Sequence, residues 1–167
     1  GGKAKHWQRF EELSLVLAGL ATPLVFSVHT TVSFDFATSV IKGWHSTIYP
    51  PYFVAGAIFS GFAMVQTLLL VARKVCHLED YITMYHIEIM NIVIVVTGGM
   101  VTVAYANEYF IGWYTGSRYA DFTYLSYGAA TGPYWRAFWS LIICNLVVPD
   151  AIWLKNVRTN IFATFFI

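Results

Sequence analysis

The chain has 167 residues, of which 57% are hydrophobic, 18% aromatic and only 11% charged, with a formal net charge of +1. A soluble domain carries about 25% charged residues and a disordered segment is polar, so both classes are excluded. The ten basic residues are scattered over several loops and make no stripe for nucleic acid.

A helix needs roughly 20 apolar residues to cross a hydrocarbon core of about 30 Å. Four runs of that kind follow one another, over about residues 13–34, 52–72, 86–106 and 134–154. A fifth begins near Asn160 and reaches residue 167, still apolar. One such run could be a buried core helix, but four in this length could not. The expected fold is all-α: a polytopic transmembrane bundle with four complete spans and the start of a fifth, forming a single unit over residues 1–167. The opening Gly1-Gly2-Lys3, which lacks a methionine, and the apolar end mark the chain as an expected segment of a larger subunit.

Basic residues set orientation. Lys3, Lys5, Arg9, Arg73, Lys74, Lys155 and Arg158 fall on one side, against Lys42, Arg118 and Arg136 on the other. The richer side is expected to be cytoplasmic, so the loops 35–51 and 107–133 face outward. Those loops are crowded with rings, including Trp44, Tyr49, Tyr109, Phe110, Trp113, Tyr114, Tyr119, Phe122, Tyr124 and Tyr127. An interfacial belt needs only a few aromatics per helix end. The excess points to a surface that docks an outer partner, the alternative being a cap packed on itself.

Ionisable groups within a span are costly and mark partners, cavities or substrates. His29 lies about one and a half turns inside the outer end of the first span, and Asp35 lies at that end. Six residues advance about 9 Å and turn 600°, so the two do not share a face. They could still border one pocket, with hydroxyls from Thr30, Thr31 and Ser33 nearby and His45 following in the loop. His29 reads as a core histidine, a quinone or proton ligand, or a haem ligand. A second set, His86, Glu88 and Asp150 with Thr97, Thr102 and Asn145, is placed near the cytoplasmic side. It reads either as part of a proton path or as helix-end charges reaching water. Pro23 frees a backbone carbonyl in the first span. Gly56, Ser60, Gly61, Ala63 and Gly98-Gly99 allow close helix approach. Cys76 and Cys144 are too few for a disulfide framework and read as small buried hydrophobes. There is no CxxC motif and no cysteine cluster for an iron–sulfur centre.

Two long runs carry a family. PLVFSVHTTVSFDFA over residues 23–37 and GWHSTIYPPYFVAGAIFSG over 43–61 closely resemble the C subunit of bacterial alternative complex III, of the NrfD-like polysulfide-reductase membrane-subunit family. GPYW at 132–135, CNLVVP at 144–149 and WLKNVRTN at 153–160 fit the same subunit, so the resemblance covers nearly the whole chain. It implies a multi-pass subunit of the bacterial cytoplasmic membrane that oxidises quinol, menaquinol or ubiquinol. It also implies iron–sulfur and multihaem cytochrome partner subunits, other membrane subunits and surrounding lipid, with no haem or cluster held by this chain. The segment looks like the second of the family's two four-helix bundles. The site residues expected from these readings are His29 and Asp35 for chemistry, His29, Asp35 and His45 for quinol, and His86, Glu88 and Asp150 for a proton path. Quinol oxidation yields two electrons and two protons, so it needs an electron acceptor within reach and a titratable base; histidine or a desolvated carboxylate suits the second role. The rival functions are a secondary transporter, whose sites sit at broken helices, and a haem-binding cytochrome b-type subunit.

The orientation has a direct test. With Cys76 replaced by serine, Lys74→Cys is expected to react with a membrane-impermeant thiol reagent only from the cytoplasmic side, and labelling from the outer side overturns the assignment.

Overall fold

The computed structural model describes residues 3–41, 45–120, 122 and 132–166, and among these every regular element is helical. Four of the described helices are long and apolar enough to cross a membrane. The chain divides into two compact units, Gly1–Val54 and Ala55–Ile167.

The first unit is dominated by α1, Ala4–Ala37. At 1.5 Å per residue its 34 residues span about 51 Å, well beyond the hydrocarbon core. The predicted span 13–34 sits inside it. The extra turns arise because a helix has no reason to stop where lipid stops. The polar opening turns carry a Gln8–Glu12 hydrogen bond of 3.4 Å and a Trp7–Phe10 edge contact. The helix runs through Pro23, and Ser33 is its one buried residue. Leu15, Leu17, Leu20 and Leu24 are exposed, a surface that suits lipid or neighbouring helices rather than water. At the far end Phe36 stacks on Phe53, ring centroids 5.4 Å apart, and Tyr49 meets Phe53 edge-on at 5.6 Å. These rings join the end of α1 to the first turn of α2, Tyr49–Val75.

The second unit holds the rest of α2, then α3, Met84–Tyr114. The connection between them is tightly made. His77 takes a left-handed φ of 53°, the Leu78 N–H donates to the Arg73 carbonyl at 3.1 Å, and Arg73 Nε donates to the Ile82 carbonyl at 2.8 Å. The first two features form the six-residue closure common at helix C-termini. The Thr83 backbone N–H then donates to His86 Nδ1 at 3.3 Å, which secures the start of α3. α3 continues eight residues past the predicted 106, so 107–114 is helix rather than loop. Phe110, Trp113 and Tyr114 explain this, since i, i+3 and i+4 spacing lets the rings meet along one face, Phe110 stacking on Tyr114 at 5.8 Å.

The buried residues of α3, among them Ile87, Asn91, Ile94, Gly98 and Val101, recur every three to four residues and so form one stripe. Against it packs α4, Trp135–Trp153. α4 is regular only to Ile142. Residues Ile143–Val147 form a π-helical turn, and Ala151–Trp153 tightens to 3-10 geometry before Leu154 leaves the helix with ψ 118°. Pro149 is the local cause: it donates no N–H and its ring would strike the carbonyl four residues back, so the helix widens there. α5, Lys155–Arg158, and α6, Ile161–Phe166, follow. Ile94, Val95 and Ile152 form the core, with Phe59 and Ala63 packed on it. Cys76 and Cys144 are both free and exposed, correcting their reading as buried hydrophobes: the first lies just beyond the end of α2, the second in the widened turn on the outer surface of α4.

Among the described glycines, Gly98 is the one that faces neighbouring helices at contact distance. A Cβ there would meet the Phe59 ring at 3.4 Å and the Pro149 Cβ at 3.9 Å, whereas at Gly99 it would meet nothing within 4 Å. Gly98→Leu is therefore expected to destabilise the detergent-solubilised protein by about 1–3 kcal/mol, seen as a lower thermal midpoint, while Gly99→Ala leaves the midpoint unchanged. Equal midpoints for the two variants would sink this account of the packing.

Candidate functional site

Helix pairing in the second unit can be followed through its contacts. On α2, Phe59 lies at Gly98 and Gln66 lies at Asn91, so α2 and α3 run antiparallel. Asp150 meets Thr102, Pro149 meets Gly98, and Arg158 meets Asn91 and Glu88. Polar groups therefore form a ladder along α3.

At its lower rung Arg158 Nη2 pairs with Glu88 Oε1 at 3.2 Å. One turn along, Gln66 Nε2 donates to Asn91 Oδ1 at 2.7 Å, and Asn91 Nδ2 donates to the Arg158 backbone carbonyl at 3.0 Å. Gln66 and Asn91 are buried, at 3% and 0% exposure. Further along, Thr102 Oγ1 donates to Asp150 Oδ2 at 3.3 Å. Thr102 lies 18 residues from the start of α3, about 27 Å along it. Asp150 therefore stands far along α3 from Glu88, whereas the sequence reading set both near the end expected to be cytoplasmic. The reason is the break after α4: the chain leaves the helix at Leu154, and α5 rather than α4 carries it down to Glu88. Thr97 and Asn145 turn their side chains into their own helices, onto the Val93 carbonyl at 2.8 Å and the Leu141 carbonyl at 3.1 Å. His86 is engaged at the cap of α3. Its nitrogen reaches neither Glu88 nor Asp150, and the 14 residues from Glu88 to Thr102 span about 21 Å.

In the first unit His29 is half-buried, while Asp35 and His45 are exposed. His29 Nδ1 donates to the Val25 carbonyl at 2.9 Å, because a carbonyl can only accept. That leaves Nε2 as the ring nitrogen facing outward from the helix backbone. Thr30, Thr31 and Ser33 donate to the carbonyls of Phe26, Ser27 and Thr30 at 2.7, 2.9 and 2.6 Å, so their protons are turned into α1. His45 Nδ1 donates to the Ser39 carbonyl at 3.0 Å. No hydrogen bond or ion pair joins His29, Asp35 and His45 among the described residues.

A family model described as polysulphide reductase, NrfD, matches residues 3–166. The chain belongs to the NrfD family. NrfD-family proteins are integral membrane subunits of quinol-linked electron-transfer complexes and work with iron–sulfur subunits. With its four apolar helices, this NrfD-family chain is a multi-pass membrane protein. No curated protein matches it.

Gln66, Asn91 and the Arg158 carbonyl were not singled out in the sequence. The available signal was two lone amides in otherwise apolar runs, since an amide in hydrocarbon needs a partner. Asn91→Leu leaves the Gln66 Nε2 group and the Arg158 carbonyl unmatched, at about 1–3 kcal/mol for each buried group. It should lower the thermal midpoint clearly, whereas Glu88→Gln, at a pair 24% and 40% exposed, should cost less than about 1 kcal/mol. An Asn91→Leu protein that melts with the wild type would remove the network from the list of structural ties.

Proposed function

We propose that this chain is the quinol-oxidising membrane subunit of a complex of the alternative complex III type in the bacterial cytoplasmic membrane. In this reading it passes electrons to iron–sulfur and multihaem cytochrome partner subunits and releases or translocates protons. The observation that carries the reading is the family match over residues 3–166. Quinol, when bound, supplies two electrons and two protons.

The residues present fit the proton part of that task. With Nδ1–H held by the Val25 carbonyl, the His29 ring keeps its orientation while Nε2 takes up a proton. Asp35, about 9 Å further along α1 and exposed, relays that proton to water. His45, anchored on Ser39, flanks the outer loop and adds a second imidazole for a quinol hydroxyl. In the second unit, Asp150 with Thr102 in the interior, and Glu88 with His86 at the expected cytoplasmic end, serve as stations of a proton path.

Exposed rings support an outer docking surface. Phe110, Trp113, Tyr114, Tyr119 and Phe122 are 56–77% exposed, more apolar surface than an interfacial belt needs. The companion residues Trp44, Tyr124 and Tyr127 lie outside the described residues. The break at Leu154 favours a second reading, secondary transport, because broken helices build transporter sites. Purification in mild detergent separates the two: iron–sulfur and multihaem subunits are expected to accompany the chain, and their absence favours the transporter.

In the assembled complex, Asp35→Asn and His29→Gln are each expected to leave assembly intact and to slow quinol oxidation by at least about a hundredfold, the lower end for loss of a positioned acid or base. Full turnover in both variants would make the pair structural.

A further inference from the structure

An open groove of about 380 Å³ lies between the basic end of α2 and the start of α3, walled by Leu69, Tyr81, Ile82, His86, Ile89 and Met90. Leu69, Ile82, Ile89 and Met90 make most of that wall apolar. Arg73 stands at one end of it, in the last turn of α2. It follows Leu69 by four residues and so shares its face of the helix. Its Nε donates at 2.8 Å to the carbonyl of Ile82, itself a wall residue.

That bond holds the guanidinium in place and leaves its two Nη groups over. They meet no protein acceptor among the described residues, and they are not sealed inside the protein. Glu79 and Asp80, in the same connection, are exposed and form no ion pair with Arg73 among the described residues. Two neutral donors belong to the same wall. His86 Nδ1 accepts from the Thr83 backbone N–H, which can only donate, so the neutral ring carries its hydrogen on Nε2. The Tyr81 ring is 80% exposed, and its hydroxyl has no protein partner among the described residues. An apolar trough thus ends at a tethered cation with unused donors.

The geometry points to a phospholipid site, with an acyl chain in the groove and the phosphate on the Arg73 Nη groups. The fork of an arginine matches two phosphate oxygens through charge-assisted hydrogen bonds. Basic side chains just beyond a span are where headgroup phosphates lie. A neutral lipid brings a chain for the groove but no anion for the guanidinium, and a free phosphate brings nothing for Leu69, Ile89 and Met90. The site does not depend on the electron-transfer reading.

The test uses the intact complex, stripped of native lipid in detergent and supplied with dioleoylphosphatidylglycerol or with dioleoylglycerol, which lacks the phosphate. With the phosphatidylglycerol, a cryo-EM map is expected to show a chain along Leu69, Ile89 and Met90 that ends in a phosphate about 2.7–2.9 Å from an Arg73 Nη. With dioleoylglycerol no headgroup density stands at Arg73. Arg73→Gln isolates the charge: the glutamine Nε2 lies as many bonds from the backbone as the arginine Nε, so the tie to Ile82 is kept and only the fork is lost. In a native mass spectrometry titration this variant is expected to bind phosphatidylglycerol about fivefold more weakly, the usual effect of one basic side chain at a headgroup. Equal binding by the two proteins, an empty groove, a segment of another subunit in it, or a lipid whose phosphate lies away from Arg73 would overturn the inference. Should Arg73→Gln fail to assemble, Ile89→Trp, at a wall position 43% exposed, keeps the guanidinium and blocks the groove. It is expected to expel the chain density, and an unchanged lipid contradicts the assigned wall.

Discussion

Hydrocarbon offers no hydrogen bonds, so every backbone group inside a membrane must find its partner within the protein. The fourth helix violates the simplest solution to that constraint when it unwinds at Leu154, and Asn91 supplies the remedy. Its side chain donates to the Arg158 carbonyl beyond the break and accepts from Gln66 on the neighbouring helix. One amide thus ties α2, α3 and α5. The placement of Ile152 against Ile94 and Val95, and of the Arg158 guanidinium at Glu88, goes with this tie. Replacing such an amide by a hydrophobe would unpair groups on both sides at once, which is why a lone Asn in an apolar stripe has structural weight here.

The existence and number of the long helices were legible from the length of the apolar runs, because bilayer thickness sets that length. Their ends were not. α1 starts at Ala4 and α3 reaches Tyr114 because helix propensity and ring contacts continue past the lipid boundary. The placement of the polar groups was legible in part. His29 and Asp35 stood out as ionisable groups at the end of an apolar helix, but which nitrogen of His29 is spent on Val25 follows only from geometry. Thr102 and Asp150 were both noticed, yet their pairing was hidden, since it depends on where a π turn shifts the register of α4 and where the helix ends, and a short, almost wholly apolar run marks neither. Arg158 counted only as a loop charge, although its backbone carbonyl matters as much as its guanidinium.

The two units carry different kinds of polar chemistry. In the first, the side chains of Thr30, Thr31 and Ser33 are folded onto their own helix, and the imidazole and carboxylate retain groups that face away from it. In the second, Gln66, Asn91, Thr102 with Asp150, and Arg158 with Glu88 bind across helices, and the interior is held by amides and a carboxylate rather than by isolated charges. The first arrangement suits exchange of protons with a ligand or with water, and the second suits holding helices at fixed spacing around a polar seam.

The widened turn at Ile143–Val147 has an evolutionary corollary. A π turn houses one residue more than an α-helix needs for the same rise, so the side chains that follow are rotated by about 100° relative to those before it. Residues 135–142 and residues 148–153 consequently keep separate registers. A relative without the proline would regain a straight helix by losing a single residue in this stretch, with both flanking faces left as they are. Sequence comparison within the family should therefore place a one-residue gap here, in the middle of a transmembrane helix, where gaps are otherwise least tolerated.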